Sequence, residues 1–295
     1  MEDLSCDVLV VGGAGVDTIV RVERFPAEAV DSVMAPGIAD HAGHTGAGVA
    51  LGCAALGLGA RLVEFLGDDP QGDLVRRRLA RGGVVLSALP ASRTRRAVNF
   101  VDSAGRRMSF YDGEDTPEMR VSKEVMGGLL RGARHVHVSI MDFARHVYPL
   151  LEGVSTSTDL HAWDGEAAYQ EDFAYSSDLV FLSAASLGRR TPDVMRRVLD
   201  RGRAHTVIAT DGAAGGMYLT REAPEVRPYA PATGAPAVDS NGAGDAFVSG
   251  FLYARLNALP LETALRYGAV AGHHACTSQG THADPITLAT LRDRL

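Results

Sequence analysis

The feature that most constrains this chain is a rhythm of short β-branched runs separated by stretches of helical period. Val8-Leu9-Val10-Val11 stops abruptly at Gly12-Gly13-Ala14-Gly15, and similar apolar runs recur at 61–66, 136–140, 179–182 and 206–210. Runs this short, apolar on successive residues, suit parallel strands buried on both faces. Between them, 47–58, 72–81, 123–131 and 192–201 repeat their apolar residues at helical spacing. Strand, helix, strand at this interval predicts a mostly parallel sheet with helices on both sides. Two segments break the rhythm. The stretch 17–42 carries Pro26 and Pro36 with no helical period, and 97–111 alternates as two strands around Asp102-Ser103-Ala104-Gly105. Both read as strands of a small β lid, formed by segments at about 17–42 and 92–113 of a single domain spanning 1–295. From 243 onward the chain reads as helical, over 243–256, 261–276 and a last short helix near 287–295.

Composition narrows the chemistry. With 46% hydrophobic and 22% charged residues, the 295-residue chain is that of an ordinary globular protein. A net charge of −7 offers no general attraction to nucleic acid or to an anionic membrane. Lys123 is the only lysine and sits in a polar run, which excludes a Walker A loop and leaves a poor setting for a pyridoxal Schiff base or a lysine aldolase. Cys6, Cys53 and Cys276 are odd in number and widely spaced, forming neither a disulfide framework nor a zinc pattern. No signal segment and no spanning run of apolar residues is visible, so a cytoplasmic protein is expected.

Several motifs carry chemistry. Gly13-x-Gly15 after the first strand invites a dinucleotide fingerprint, but the third small residue is replaced by Thr18 and Pro26 follows. Those glycines instead suit a tight exit from the sheet that places Asp17 at the mouth of a pocket. The richest stretch is Asp239-Ser240-Asn241-Gly242-Ala243-Gly244-Asp245, leading into an apolar helical period. Gly242, Ala243 and Gly244 leave the N–H groups of a helix start uncovered, which makes an anion site. Asp245 falls in the first turn. From the residues alone it is either a charge that stabilises the helix start or a base crowded against an anion.

This stretch resembles the C-terminal signature of the ribokinase-like (PfkB) carbohydrate kinases, Asp-Thr-x-Gly-Ala-Gly-Asp, with Ser240 in the place of Thr. The segment from Gly43-His44-Thr45-Gly46-Ala47-Gly48 to Gly67-Asp68-Asp69 is similar to the family's N-terminal signature, so the resemblance covers most of the chain. It implies a three-layer α/β/α ribokinase-like fold with a β lid, and ATP-dependent phosphorylation of a hydroxymethyl group on a sugar or sugar-like acceptor. Asp245 becomes the base and Gly242, Ala243 and Gly244 the anion hole. Asp17 and Gly43 would hold acceptor hydroxyls, with His44 and Gly48 in the same site.

Thr210, Gly212 and Gly215 resemble the family's strand-turn facing ATP, and Cys276 and Gly280 the helix end and loop that pack on adenine. Mg2+ is implied with ATP. A monovalent cation such as K+ is implied near Asp239 and Asn241, as in several relatives. Three departures stand out: His44 replaces a glycine, Gly48 replaces an asparagine, and Ser183 and Ser186 stand where the family has Asn-x-x-Glu near the magnesium. A nucleoside acceptor, its base held by Phe100, Phe110 and Tyr111, is the alternative within the family. A non-catalytic ligand-binding member is the alternative outside enzymology. Exposed lid edges imply a homodimer.

Overall fold

The computed structural model describes residues 6–25, 31–103, 107–112, 116 and 118–295. Pro26 and the turn residues Ala104 and Gly105 lie outside them. The chain begins with β1 (Cys6–Val11), then β2 (Gly15–Arg21), β3 (Gly37–Gly43), α1 (Thr45–Ala55), β4 (Ala60–Leu66), α2 (Pro70–Arg81) and β5 (Val85–Pro90). Next come β6 (Arg96–Val101), β7 (Arg107–Asp112), α3 (Lys123–Leu130), β8 (Ala133–Val138), β9 (Ser155–Asp159), α4 (Ala168–Ser176), β10 (Leu179–Ser183) and α5 (Thr191–Arg201). The last elements are β11 (Thr206–Thr210), β12 (Gly216–Thr220), β13 (Arg227–Tyr229), α6 (Ala243–Leu256), α7 (Leu261–Ala275) and α8 (Leu288–Asp293).

One sheet runs in the order β13-β12-β11-β10-β9-β8-β1-β4-β5, antiparallel only where β12 meets β11 and β13. Period-2 alternation explains the layers. Val8 and Val10 point into a core shared with α1, α2, α6, α7 and α8, while Leu9 and Val11 point into a second core with α3, α4 and α5. The result is the three-layer α/β/α arrangement expected from the sequence. Small residues let the first layer close up. A Cβ on Gly52 of α1 would meet Ser249 of α6, and one on Gly250 would meet the Tyr267 carbonyl of α7. The start of α2 is set by Pro70 and by Asp69, whose carboxylate accepts the Gly72 N–H at 2.7 Å.

The second sheet has the order β3-β2-β6-β7 and is built from the two segments that broke the helical rhythm. Its β6–β7 register puts Ala97, Asn99 and Val101 opposite Tyr111, Ser109 and Arg107, and Val98 and Phe100 opposite Phe110 and Met108 on the other face. Among the described residues no helix is long and apolar enough to cross a membrane.

Candidate active site

The carboxyl ends of β1, β9, β10 and β11 lie along one edge of the large sheet, where open α/β folds place their ligands. Between that edge and the Asn99–Tyr111 face of the small sheet runs a cleft of about 1060 Å³. Asp17 and His44 line one part of it, Gly242, Gly244 and Asp245 another.

Asp17 is buried, and its Oδ2 accepts the His44 N–H at 3.0 Å while Oδ1 lies 3.4 Å from Asn99 Nδ2. Gly43 is required beneath it, since a Cβ there would fall 2.1 Å from Asp17 Oδ2. His44 precedes α1 at φ 67° and ψ 160°, a region essentially reserved for glycine. That explains why the family pattern has glycine there. The His44 side chain is 11% exposed, and burial pushes its pKa down against the nearby Asp17 carboxylate. Gly48 does not reach the cleft, contrary to the sequence-based expectation. The ring of His282 covers it, with Cε1 2.1 Å from where a Gly48 Cβ would stand.

Gly242, at φ 79°, turns the chain into α6 with no side-chain cap. Gly242 and Gly244 face the cleft, but Ala243 does not: its N–H donates to the Ser240 carbonyl at 3.3 Å. The bare helix start is therefore presented by the two glycines. Asp245, in the first turn, is 6% exposed. Burial raises its pKa well above the usual carboxylate range, Asp159 and Asp17 add to the rise, and Arg107 opposes it. Asp159, His161 and Asp245 each place one ligand atom within 4.8 Å of the others. Asn99, Arg107 and His282 also line the cleft, and no local sequence motif marks them. Trp163 is a packing residue, 1% exposed, with its indole N–H donated to the Ala167 carbonyl at 3.0 Å.

Ser183 and Ser186 have local duties. Ser183 accepts the Ala185 N–H at 3.3 Å and Ser186 donates to the Trp163 carbonyl at 2.9 Å. On the side expected for nucleotide, Thr210 ends β11, and Gly212 and Gly215 turn the chain into β12 at φ 51° and 87°. The Cys276 carbonyl accepts the N–H groups of Val238 and Asp239 at 2.7 and 3.2 Å. Gly280 N–H points at Asp239 Oδ2, 3.4 Å away.

The residues expected to hold a monovalent cation are occupied by arginines of the small sheet. Arg21 Nη2 is 3.1 Å from Asp239 Oδ2, and Arg107 Nη1 donates to Asn241 Oδ1 at 2.7 Å. Asp239 Oδ1 accepts the Asn241 N–H at 3.0 Å. Asp239 Oδ2 and Asn241 Oδ1 are therefore both paired with guanidinium groups, which place positive charge beside them. Among the described residues, Phe100, Phe110 and Tyr111 do not form one slot for a nucleoside base. Phe100 and Phe110 meet edge-on, 6.0 Å between centroids, on the face of the small sheet turned away from Asn99, and only Tyr111 joins the cleft.

Residues 176–288 match the profile described as pfkB family carbohydrate kinase. The chain is 52% identical, over 97% of each chain, to the acarbose 7(IV)-phosphotransferase of Actinoplanes sp. (strain ATCC 31044 / CBS 674.73 / SE50/110). It is 28% identical, over 94% of each, to the ATP-dependent ribose-1-phosphate kinase of Halopiger xanaduensis. The solved structure of a microbiome-derived acarbose kinase superposes with a TM-score of 0.90 at 43% identity, covering 98% of this chain and 99% of that one.

Proposed function

Because this chain belongs to the pfkB family and is an ATP-dependent carbohydrate kinase, we propose that its acceptor is an acarbose-like saccharide, phosphorylated on a hydroxymethyl group. The observation that carries this reading is the cleft of about 1060 Å³ that joins Asp17 to Asp245. Together with the 52% identity to an acarbose phosphotransferase, it favours an acceptor larger than one sugar ring.

In the proposed reaction the acceptor hydroxyl gives its proton to Asp245, its oxygen bonds to the γ-phosphorus of ATP, and the β,γ-bridging oxygen leaves with ADP. A carboxylate whose pKa is raised by burial is a stronger base than a solvated one. The Gly242 and Gly244 amides and the α6 dipole face the charge on the transferring group. Asp17, held by the His44 N–H, is placed to accept acceptor hydroxyls. ATP lies over Thr210, Gly212 and Gly215, with adenine toward Cys276 and Gly280.

Mg2+ accompanies ATP and neutralises phosphate charge when bound. A hard cation prefers carboxylate oxygen to hydroxyl, so Asp159 fits it better than Ser183 or Ser186. The chain works as one domain, 1–295, with the small sheet as its lid, in the cytoplasm, where its free thiols stay reduced. It pairs as a homodimer through the outer face of the lid, where Ile38, Met108 and Phe110 are 67%, 48% and 55% exposed.

The test is ADP release at fixed Mg-ATP with acarbose, pentoses, hexoses, keto-deoxy sugar acids and nucleosides. The highest kcat/KM is expected with acarbose. A nucleoside or a single pentose as the preferred acceptor overturns the assignment.

A further inference from the structure

The loop between α7 and α8 sends one side chain to the centre of the cleft. His282 Nε2 lies 3.4 Å from Asp245 Oδ2, with the two side chains 5% and 8% exposed. Room for the ring is made by two glycines on separate elements. A Cβ at Gly48 or Gly242 would come within 2.1 or 2.7 Å of Cε1. The backbone of His282 is left-handed, at φ 54°, and its carbonyl is pinned by Arg78 Nη2 at 2.7 Å. Behind the ring is a chamber of only about 20 Å³, room for one water, so the ring cannot retreat far.

A residue needed only for packing has no reason to be an imidazole beside a buried carboxylate, in a strained backbone conformation, with two helices cleared of Cβ atoms to admit it. Within 4.8 Å, His161 offers Asp245 a competing partner and the Asp159 carboxylate repels it. We propose that His282 is a positioning residue for phosphoryl transfer: seated in the gap left by Gly48 and Gly242, it holds Oδ2 of Asp245 and leaves Oδ1 to take the acceptor's hydroxyl proton. Burial keeps this imidazole neutral, with its pKa lowered to about 4, and its single N–H, on Nε2, donates toward Asp245 Oδ2, so it orients the carboxylate without neutralising it. The inference rests on Asp245 being the base.

The test is a cycle of His282→Ala and Asp245→Asn, read by single-turnover phosphoryl transfer to acarbose with enzyme in excess, alongside KM for ATP and melting temperature. His282→Ala should slow transfer about 10–100-fold, the scale of a misplaced reacting group, with KM for ATP unchanged. In the Asp245→Asn background the same change should cost nothing more, because groups that act as a unit are not additive. An equal loss in both backgrounds, or no loss in either, overturns the inference. Gly48→Ala provides the second route. It displaces the ring, should slow transfer in the Asp245 background only, and serves alone if His282→Ala does not fold. Asp245→Asn turning over at the unsubstituted rate instead overturns the base assignment itself.

Discussion

His44→Gly is predicted to make the protein more stable and a poorer enzyme. His44 occupies φ 67°, ψ 160°, where a side chain costs about 1–3 kcal/mol and glycine almost nothing. Its buried Nε2 makes no hydrogen bond but lies 3.4 Å from Asp17 Oδ1, a weak contact that the substitution removes along with the burial cost of the ring nitrogen. Against these stand the added backbone entropy of a glycine, about 0.5–1 kcal/mol, and the ring's packing against Gly15. The Asp17 hydrogen bond survives, because it comes from the backbone N–H of residue 44. Net stabilisation on the order of 1 kcal/mol follows, a shift of about 2 °C in melting temperature for a chain of this size. The cost falls on the acceptor, since the ring lines the cleft beside Asp17. Urea unfolding at pH 8, where His44 is neutral, measures the first effect, and KM for acarbose against KM for ATP measures the second. A variant less stable than the parent would refute the strain argument. An unchanged acceptor KM would remove His44 from the site.

Asp245→Asn should lower turnover about 10²–10⁴-fold while ATP binding persists, because an amide cannot take the hydroxyl proton; calorimetric ATP titration of the folded variant checks the second half. Asp17→Ala should raise KM for the acceptor far more than KM for ATP, and equal effects on both would contradict its placement. His135 and His137, bridged by Ser157 at 2.7 and 2.9 Å, are held neutral by burial, with pKa values lowered to about 4 and about 3. The unfolded chain takes up their protons below about pH 6.5 and the folded one does not, so stability present above that pH drains away as pH falls toward 4. His137→Asn should therefore lose about 1.4 kcal/mol less than the parent between pH 8 and pH 5.5 in urea unfolding, and identical losses would contradict the linkage. Phe110→Glu, on the exposed face of the small sheet, should shift the protein to monomer in sedimentation, and an unchanged mass would move the interface elsewhere.

The α/β character was legible because both of its periods are local. Val8 to Val11 and Thr206 to Thr210 announce buried strands by β-branched runs, and α5 announces itself by apolar residues spaced to one face. Among the strands that escaped are β5 and β13. β5 ends in Pro90 and is largely exposed, and β13 is three residues at the sheet edge. The anion loop was legible too, since three small residues before an acid are a local pattern. What the loop is tied to was not. Arg21 is 218 residues from Asp239 and Arg107 134 residues from Asn241, so no pattern within the loop could show that arginines stand beside it.

Gly48 illustrates the same limit from the other side. Read alone, a glycine where the family has asparagine is a lost contact, and the structure shows instead a vacancy filled from 234 positions later in the chain, by His282. Among the described residues four non-glycines have left-handed backbones, and three of them, His44, His161 and His282, line this one cleft. Histidine tolerates that region better than β-branched residues do, yet glycine would be less costly at every one of the three. Strain gathered around Asp17, Asp159 and Asp245, and not spread over surface turns, means that side chains at these positions contribute something glycine cannot. The two buried cores on either side of the sheet carry that cost, leaving three imidazoles beside the carboxyl groups of Asp17, Asp159 and Asp245.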